Sequence, residues 1–194
     1  EGFSNVSINH RVYAVSAHMD LGSKSAVTDF ETRMDFARTV GAQVVISNAT
    51  STDRESQFYR NMEVLIKRAE EHELTIGLEN PGDGEKSMIP DAATGASVVR
   101  RIGSDRVKLN LDLSNVYSYN HGSADLSKEA ELALPVACNI HLKNLAERNG
   151  QLFFAGVHEG IHDYAPVLSM LAGSHLPLTV EYPAGFARED DWSM

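Results

Sequence analysis

The stretch KLNLDLSNVYSY, Lys108 to Tyr119, decides how the chain is read. Leu109, Leu111 and Leu113 alternate with Lys108, Asn110 and Asp112. Successive side chains of a strand point to opposite faces, so this alternation predicts a strand over Val107–Leu113. One face of that strand is apolar, and the other carries a lysine, an amide and a carboxylate. Three more short runs repeat the pattern. In Leu74–Glu79, Thr75, Gly77 and Glu79 oppose Ile76 and Leu78. In Ala137–Leu142, Asn139 and His141 oppose Cys138 and Ile140, so Cys138 is expected to face outward as a buried apolar residue. In Leu178–Tyr182, Thr179 and Glu181 oppose Leu178 and Val180.

Helical patterns separate these runs. Val27–Val40 reads as a helix opened by Thr28 with Glu31 three residues on, a capping box. Arg54–Glu71 carries Phe58, Met62, Leu65, Ile66 and Ala69 at helical spacing. Asp91–Ile102 is closed by Gly103, Asp125–Leu134 follows, and Asp163 caps a helix running to Leu171. Tyr13–His18 and Gln43–Asn48 read as two further strands, and Phe3–Ile8 as one more.

Strands alternating with helices predict a parallel sheet with helical crossovers. An open doubly wound sheet is covered by helices on both faces, so its central strands should be apolar on both. Four successive strands with one polar face fit a barrel instead, the apolar face meeting the helices and the polar face lining the lumen. Barrel interiors are commonly filled with branched apolar side chains, so a polar lumen points to function. The expected fold is therefore α/β, a (β/α)₈ TIM barrel forming one domain over residues 1–194. It is incomplete, with the first strand and some helices missing, because a full barrel needs about 250 residues.

Composition fits this reading. Hydrophobic residues make up 42% and charged residues 23% of 194 residues, as in soluble globular domains. The net charge of −10 disfavours a broad nucleic-acid surface. No apolar run is long enough to span a bilayer, so no membrane partner is expected. The one cysteine, Cys138, cannot form an internal disulfide, and a cytoplasmic location is expected. A homo-oligomer is compatible with the sequence.

Glu79, Asp112, His141 and Glu181 end the polar faces of the four strands. The gaps between them, 33, 29 and 40 residues (79 to 112, 112 to 141, 141 to 181), each match one strand–helix unit. In a parallel barrel all strand C-termini share one mouth, where barrel active sites sit. Singly, such residues are more often helix caps or ion-pair partners. In phase on four successive strands, they can meet at one cation. Three carboxylates and an imidazole favour Mn²⁺ or Mg²⁺ and also admit Co²⁺ or Zn²⁺. His18 and Lys143 are in phase with this face and are candidate substrate contacts. His158 and His162 read as surface residues of a loop.

These residues bring out a resemblance to the xylose isomerase-like TIM barrels, which include sugar isomerases and epimerases, inosose dehydratase and the endonuclease IV type of repair enzyme. It is carried by IGLENPGDG around Glu79, LNLDLSN around Asp112, NIHLKN around His141 and LTVEYP around Glu181, with YAVSAHMDL upstream and HEGIHDY downstream. The resemblance implies that Glu79, Asp112, His141 and Glu181 hold one divalent cation. It also implies that Glu79 and Glu181 act as the acid/base pair, moving a proton next to a carbonyl through an enediolate that the ion stabilises. Glu85 and Asn115 stand at positions where relatives contact substrate, although Asn115 replaces a common histidine and cannot exchange a proton near neutral pH. The implied activity is isomerisation or epimerisation of a small sugar or keto-sugar. The alternative is a dehydratase or lyase acting on a polyol ketone. A repair endonuclease is disfavoured, since Leu152 and Phe154 occupy the positions of its extra metal ligands. A non-catalytic barrel subunit is also disfavoured, since it has no need of four in-phase ligands.

Overall fold

A computed structural model describes residues 11–83, 86–148 and 151–181. The elements run β1 (Ala14–Asp20), α1 (Ala26–Thr39), β2 (Val44–Asn48), α2 (Glu55–Glu71), β3 (Thr75–Glu79), α3 (Ala92–Ile102), β4 (Val107–Asp112), α4 (Leu113–Tyr119), α5 (Leu126–Ala133), β5 (Ala137–Leu142), β6 (Asn144–Arg148), β7 (Gln151–Ala155), α6 (Ala165–Leu171) and β8 (Leu178–Val180). Six strands form one parallel sheet in the order β1-β2-β3-β4-β5-β8, curled into a half-barrel. This agrees with an incomplete TIM barrel. The strand expected at Phe3–Ile8 lies outside the described residues.

The outer face of the sheet holds the main core. Ile76, Leu78, Leu109, Leu111, Ile140 and Leu142 pack with Phe58, Met62 and Leu65 of α2 and Val98 and Val99 of α3. Fully burying one such leucine contributes about 2 kcal/mol. Asp91 caps α3 by accepting from Thr94 N at 2.7 Å, and Gly103 ends it with φ 69°. The expected capping box of α1 is not used, because the helix starts earlier, at Ala26, and Thr28 lies inside its first turn.

Three elements, α4, β6 and β7, escape the sequence reading. The apolar alternation runs through Leu113, but the strand stops at Asp112 and Leu113 begins α4. Asp112 causes the switch, since its Oδ1 accepts from Asn115 N at 2.8 Å and caps the new helix. After β5 the chain forms the antiparallel hairpin β6–β7 before α6. The side chain of Asn144 anchors the hairpin, donating to Val157 O and His162 O and accepting from Leu145 N and His162 N. His162 is buried, not at the surface as expected, because its ring fills a core slot edge-on to Tyr117 and Tyr164.

The orientation of Cys138 is also corrected. Leu109 pairs with Ala137 and Asn110 with Asn139, so Cys138 is an extra residue, a β-bulge. Its Sγ lies on the lumen side of β3, 3.3 Å from where a Cβ on Gly77 would stand, beside Val44 and Ile46. Gly77 leaves room for this floor layer. Burial pushes the Cys138 thiol up to about 12. Iodoacetamide at pH 8 is accordingly expected to alkylate Cys138 in the native protein about a hundredfold or more slower than in urea, because the thiolate is the reacting species. Equal rates, followed by mass spectrometry, would show an accessible thiolate.

Candidate metal centre

Register carries the lumen side chains to a common height. Glu79 pairs with Asn110, and Asp112 pairs with His141. Glu79, Asp112 and His141 each present a ligand atom, and these atoms lie within 4.8 Å of one another. All three residues are buried at the C-terminal mouth of the sheet. His141 Nδ1 lies 2.7 Å from Glu79 Oε1 and 3.9 Å from Asp112 Oδ2. His18, at the mouth end of β1, binds the other Glu79 oxygen through Nε2.

Glu181 does not join this trio. It follows β8, with its side chain 28% exposed, and Lys143 stands between it and the cluster. Lys143 Nζ lies 2.8 Å from Asp112 Oδ2 and 2.7 Å from Glu181 Oε2. The structure thus brings together three of the four expected ligands directly and the fourth through an ammonium. Asn115 sits in the first turn of α4 and donates its amide to Asn80 O at 3.0 Å, holding the loop after β3. Glu85 lies outside the described residues.

Several supporting residues carry no strong signal of their own in the sequence. Asn80 clamps the main chain of Asp112, accepting from its N at 2.8 Å and donating to its O at 2.9 Å. Ser114 and Tyr164 both donate to Lys143 O. Asn110 and Asn139, noted above only by phase, lie fully buried beneath the carboxylates.

The electrostatics follow from burial and partners. Burial raises the Glu79 carboxyl, but the hydrogen bonds from His141 and His18 outweigh it and hold it at about 2. For Asp112, burial together with the charge of Glu79 outweighs Lys143 and raises it to about 6. Lys143 moves up despite burial, because Asp112 and Glu181 both favour its charge. The two partners of this ion pair therefore report it differently. The ammonium is well compensated by two carboxylates, while Asp112 is under-compensated by one ammonium shared with Glu181. Asp112 Oδ2 accepts no hydrogen bond of regular geometry, so its contact with Lys143 is ionic. Two buried carboxylates, one of them with an oxygen that accepts no hydrogen bond, and an imidazole are a donor set that fits a divalent cation.

Comparison with known proteins agrees with the fold. The chain is similar to the "probable 3-DHS dehydratase AsbF" of petrobactin synthesis from Bacillus anthracis, at TM-score 0.74 and 13% identity over 92% of this chain and 71% of that one. It is similar to an L-ribulose 3-epimerase at TM-score 0.71 and 19% identity, over 92% of this chain and 63% of that one. It is also similar to the IOLI protein with a bound zinc atom, at TM-score 0.68 and 19% identity, over 91% of this chain and 68% of that one. At these identities the likeness is one of fold, and the chain spans about two thirds of each structure's length. No curated protein sequence matches the chain. A family model described as xylose isomerase-like TIM barrel matches residues 2–193. With the half-barrel and its in-phase lumen residues, a match over nearly the whole sequence means that this chain belongs to the xylose isomerase-like TIM barrel family.

Proposed function

We propose that the protein is a divalent-metal-dependent isomerase or epimerase of a small sugar or keto-sugar, acting by proton transfer next to a carbonyl. The observation that carries this reading is the convergence of Glu79, Asp112 and His141 within 4.8 Å at the strand C-termini. These three would hold the ion, with Glu181 as the fourth donor expected from the sequence. Mn²⁺ or Mg²⁺ suits the carboxylate-rich set best. When bound, the cation supplies the positive charge that stabilises the oxygen becoming negative as the neighbouring proton leaves.

The residues of the chain do the rest. Glu79 is held ionised by His18 and His141 and is the base that takes the proton. Glu181, the carboxyl on the other side of Lys143, returns a proton from its acid form and is left as the carboxylate, which regains a proton from solvent as Glu79 releases the one it took. Lys143 and His18 border the mouth and serve the substrate's hydroxyl or carbonyl oxygens, and Asn115 supports that wall by fixing the loop after β3. The partner is a small molecule; no nucleic acid or membrane is proposed. No helix among the described residues is long and apolar enough to cross a membrane.

The likeness to the petrobactin-synthesis dehydratase gives a second reading, a lyase on a polyol ketone that uses the same base and expels a neighbouring hydroxyl. One experiment separates the two. Purified protein, loaded with Mn²⁺ and incubated with a panel of ketoses and polyol ketones in deuterated water, is expected to wash deuterium into the carbon next to the carbonyl without loss of water. A product lighter by one water favours the lyase. No exchange and no product across the panel, from protein that retains no Mn²⁺, Mg²⁺, Co²⁺ or Zn²⁺, would end both.

A further inference from the structure

A chain of hydrogen bonds crosses the lumen one layer below the carboxylates. Thr179 Oγ1 donates to Asn139 Oδ1 at 3.0 Å. Asn139 Nδ2 donates to Asn110 Oδ1 at 2.8 Å. Asn110 Nδ2 donates to Glu79 Oε1 at 3.0 Å. The chain thus links β8, β5, β4 and β3 in spatial order. Both asparagines have no exposed surface.

The direction of this chain is forced by its end. An ionised carboxylate only accepts, so Asn110 must turn its NH₂ toward Glu79. Its carbonyl then faces Asn139 and must receive an NH₂. The Asn139 carbonyl in turn faces Thr179 and receives the hydroxyl. Turning Asn110 would set oxygen against the Glu79 oxygen and NH₂ against NH₂, and turning Asn139 would set its oxygen against Asn110 Oδ1. A buried network satisfied in one sense only is stiff, and a broken one leaves desolvated polar atoms behind. The same layer in most barrels is apolar. Two buried amides here are a departure that packing does not require.

We infer that Thr179, Asn139 and Asn110 are positioning residues, a one-way relay that aims the Glu79 carboxylate at the cation and ties the metal centre to the seating of β8. The inference rests on the metal reading above. It extends that reading from the ligands to the layer beneath them and assigns a role to three residues that touch no substrate. The bulge at Cys138 belongs to the same device, because it resets β5 so that Asn139 pairs with Asn110.

The test is Mn²⁺ titration of the purified chain by calorimetry, with EPR of the bound ion and thermal melting of the metal-free protein. Asn139→Leu keeps the branched shape, gives the layer the apolar character usual in barrels, and removes both links. It is expected to keep or raise the melting temperature of metal-free protein while weakening Mn²⁺ binding about 10- to 100-fold, the usual cost of losing an outer partner of a ligand. The EPR spectrum of the bound Mn²⁺ should broaden as Glu79 loses its fixed aim. Thr179→Val removes only the last donor, at a partly exposed site, and is expected to weaken binding a few-fold in the same direction. A purely structural layer would instead lower the melting temperature and leave affinity and spectrum unchanged. Mn²⁺ affinity within twofold of wild type in Asn139→Leu, or in Thr179→Val should the first variant not fold, overturns the relay alone. Wild-type protein that binds none of the four cations overturns the metal reading and the relay with it.

Discussion

Glu79→Gln is expected to leave the fold intact, weaken Mn²⁺ binding, and slow deuterium exchange next to the substrate carbonyl by about 10³-fold. The fold survives because glutamine has the size of glutamate, and its carbonyl can still accept from Asn110 and His141, which lie 3.0 and 2.7 Å from Glu79 Oε1. Two things are lost. The first is the negative charge that two imidazoles hold in place. The second is the ability to take a proton, since an amide has no basic lone pair at neutral pH. Removing a positioned general base costs about 10²- to 10⁴-fold in rate, and 10³ is the middle of that range. Glu181→Gln should slow the same exchange less, because Glu181 is 28% exposed and reaches the cluster only through Lys143. The comparison is made by mass spectrometry on whichever ketose exchanges with wild type. Glu79→Gln exchanging within threefold of wild type would remove Glu79 from the proton-transfer role.

Much of this centre was legible in the sequence because the information there is periodic. Asn110 and Asp112, Asn139 and His141, and Thr179 and Glu181 each sit two apart, and a strand turns that spacing into a shared face. Repetition over four strand–helix units then gave the barrel and its mouth. What stayed hidden depends on events that break the period. Asp112 looks like a strand residue but also caps α4, and no pattern in LDLSNVYSY announces the switch. The bulge at Cys138 shifts the alternation by one residue, so the thiol turns inward. The hairpin β6–β7 follows β5 after one residue, in a stretch to which the sequence pattern assigns no element. His162 reads as a surface residue because it lies in a loop before a helix, whereas an imidazole edge against two tyrosine rings is a stable buried arrangement. Lys143 was in phase, but its place between Asp112 and Glu181 follows from side-chain reach, which spacing does not encode.

Lys143→Met tests that place, and in metal-free protein it is expected to lower stability at pH 8 by about 3 kcal/mol, the low end of what breaking a buried ion pair costs. Methionine keeps most of the aliphatic stem, so packing changes little. What goes is the cation 2.8 Å from Asp112 Oδ2, an oxygen that accepts no hydrogen bond and otherwise has only the His141 ring 3.9 Å away. Asp112 then has one escape, which is to take a proton. Its carboxyl already sits at about 6, above the ordinary 3.8, so the folded state binds that proton more tightly than the unfolded chain does. A group raised in this way contributes stability below its unfolded value and loses that contribution as pH rises through its folded one. Without Lys143 the folded value climbs further. The penalty of the substitution should therefore be small near pH 5, where Asp112 is neutral, and complete by pH 8. A divalent cation offers the other escape. Saturating Mn²⁺ should recover much of the loss at pH 8, because an ion held by Glu79, Asp112 and His141 supplies the charge that the lysine gave. Urea unfolding of wild type and variant at pH 5 and 8, with EDTA and with Mn²⁺, measures all four conditions. A penalty that is equal at both pH values and indifferent to Mn²⁺ would mean that Lys143 stabilises the protein through its stem and the Glu181 contact, and that Asp112 is not the carboxylate it compensates.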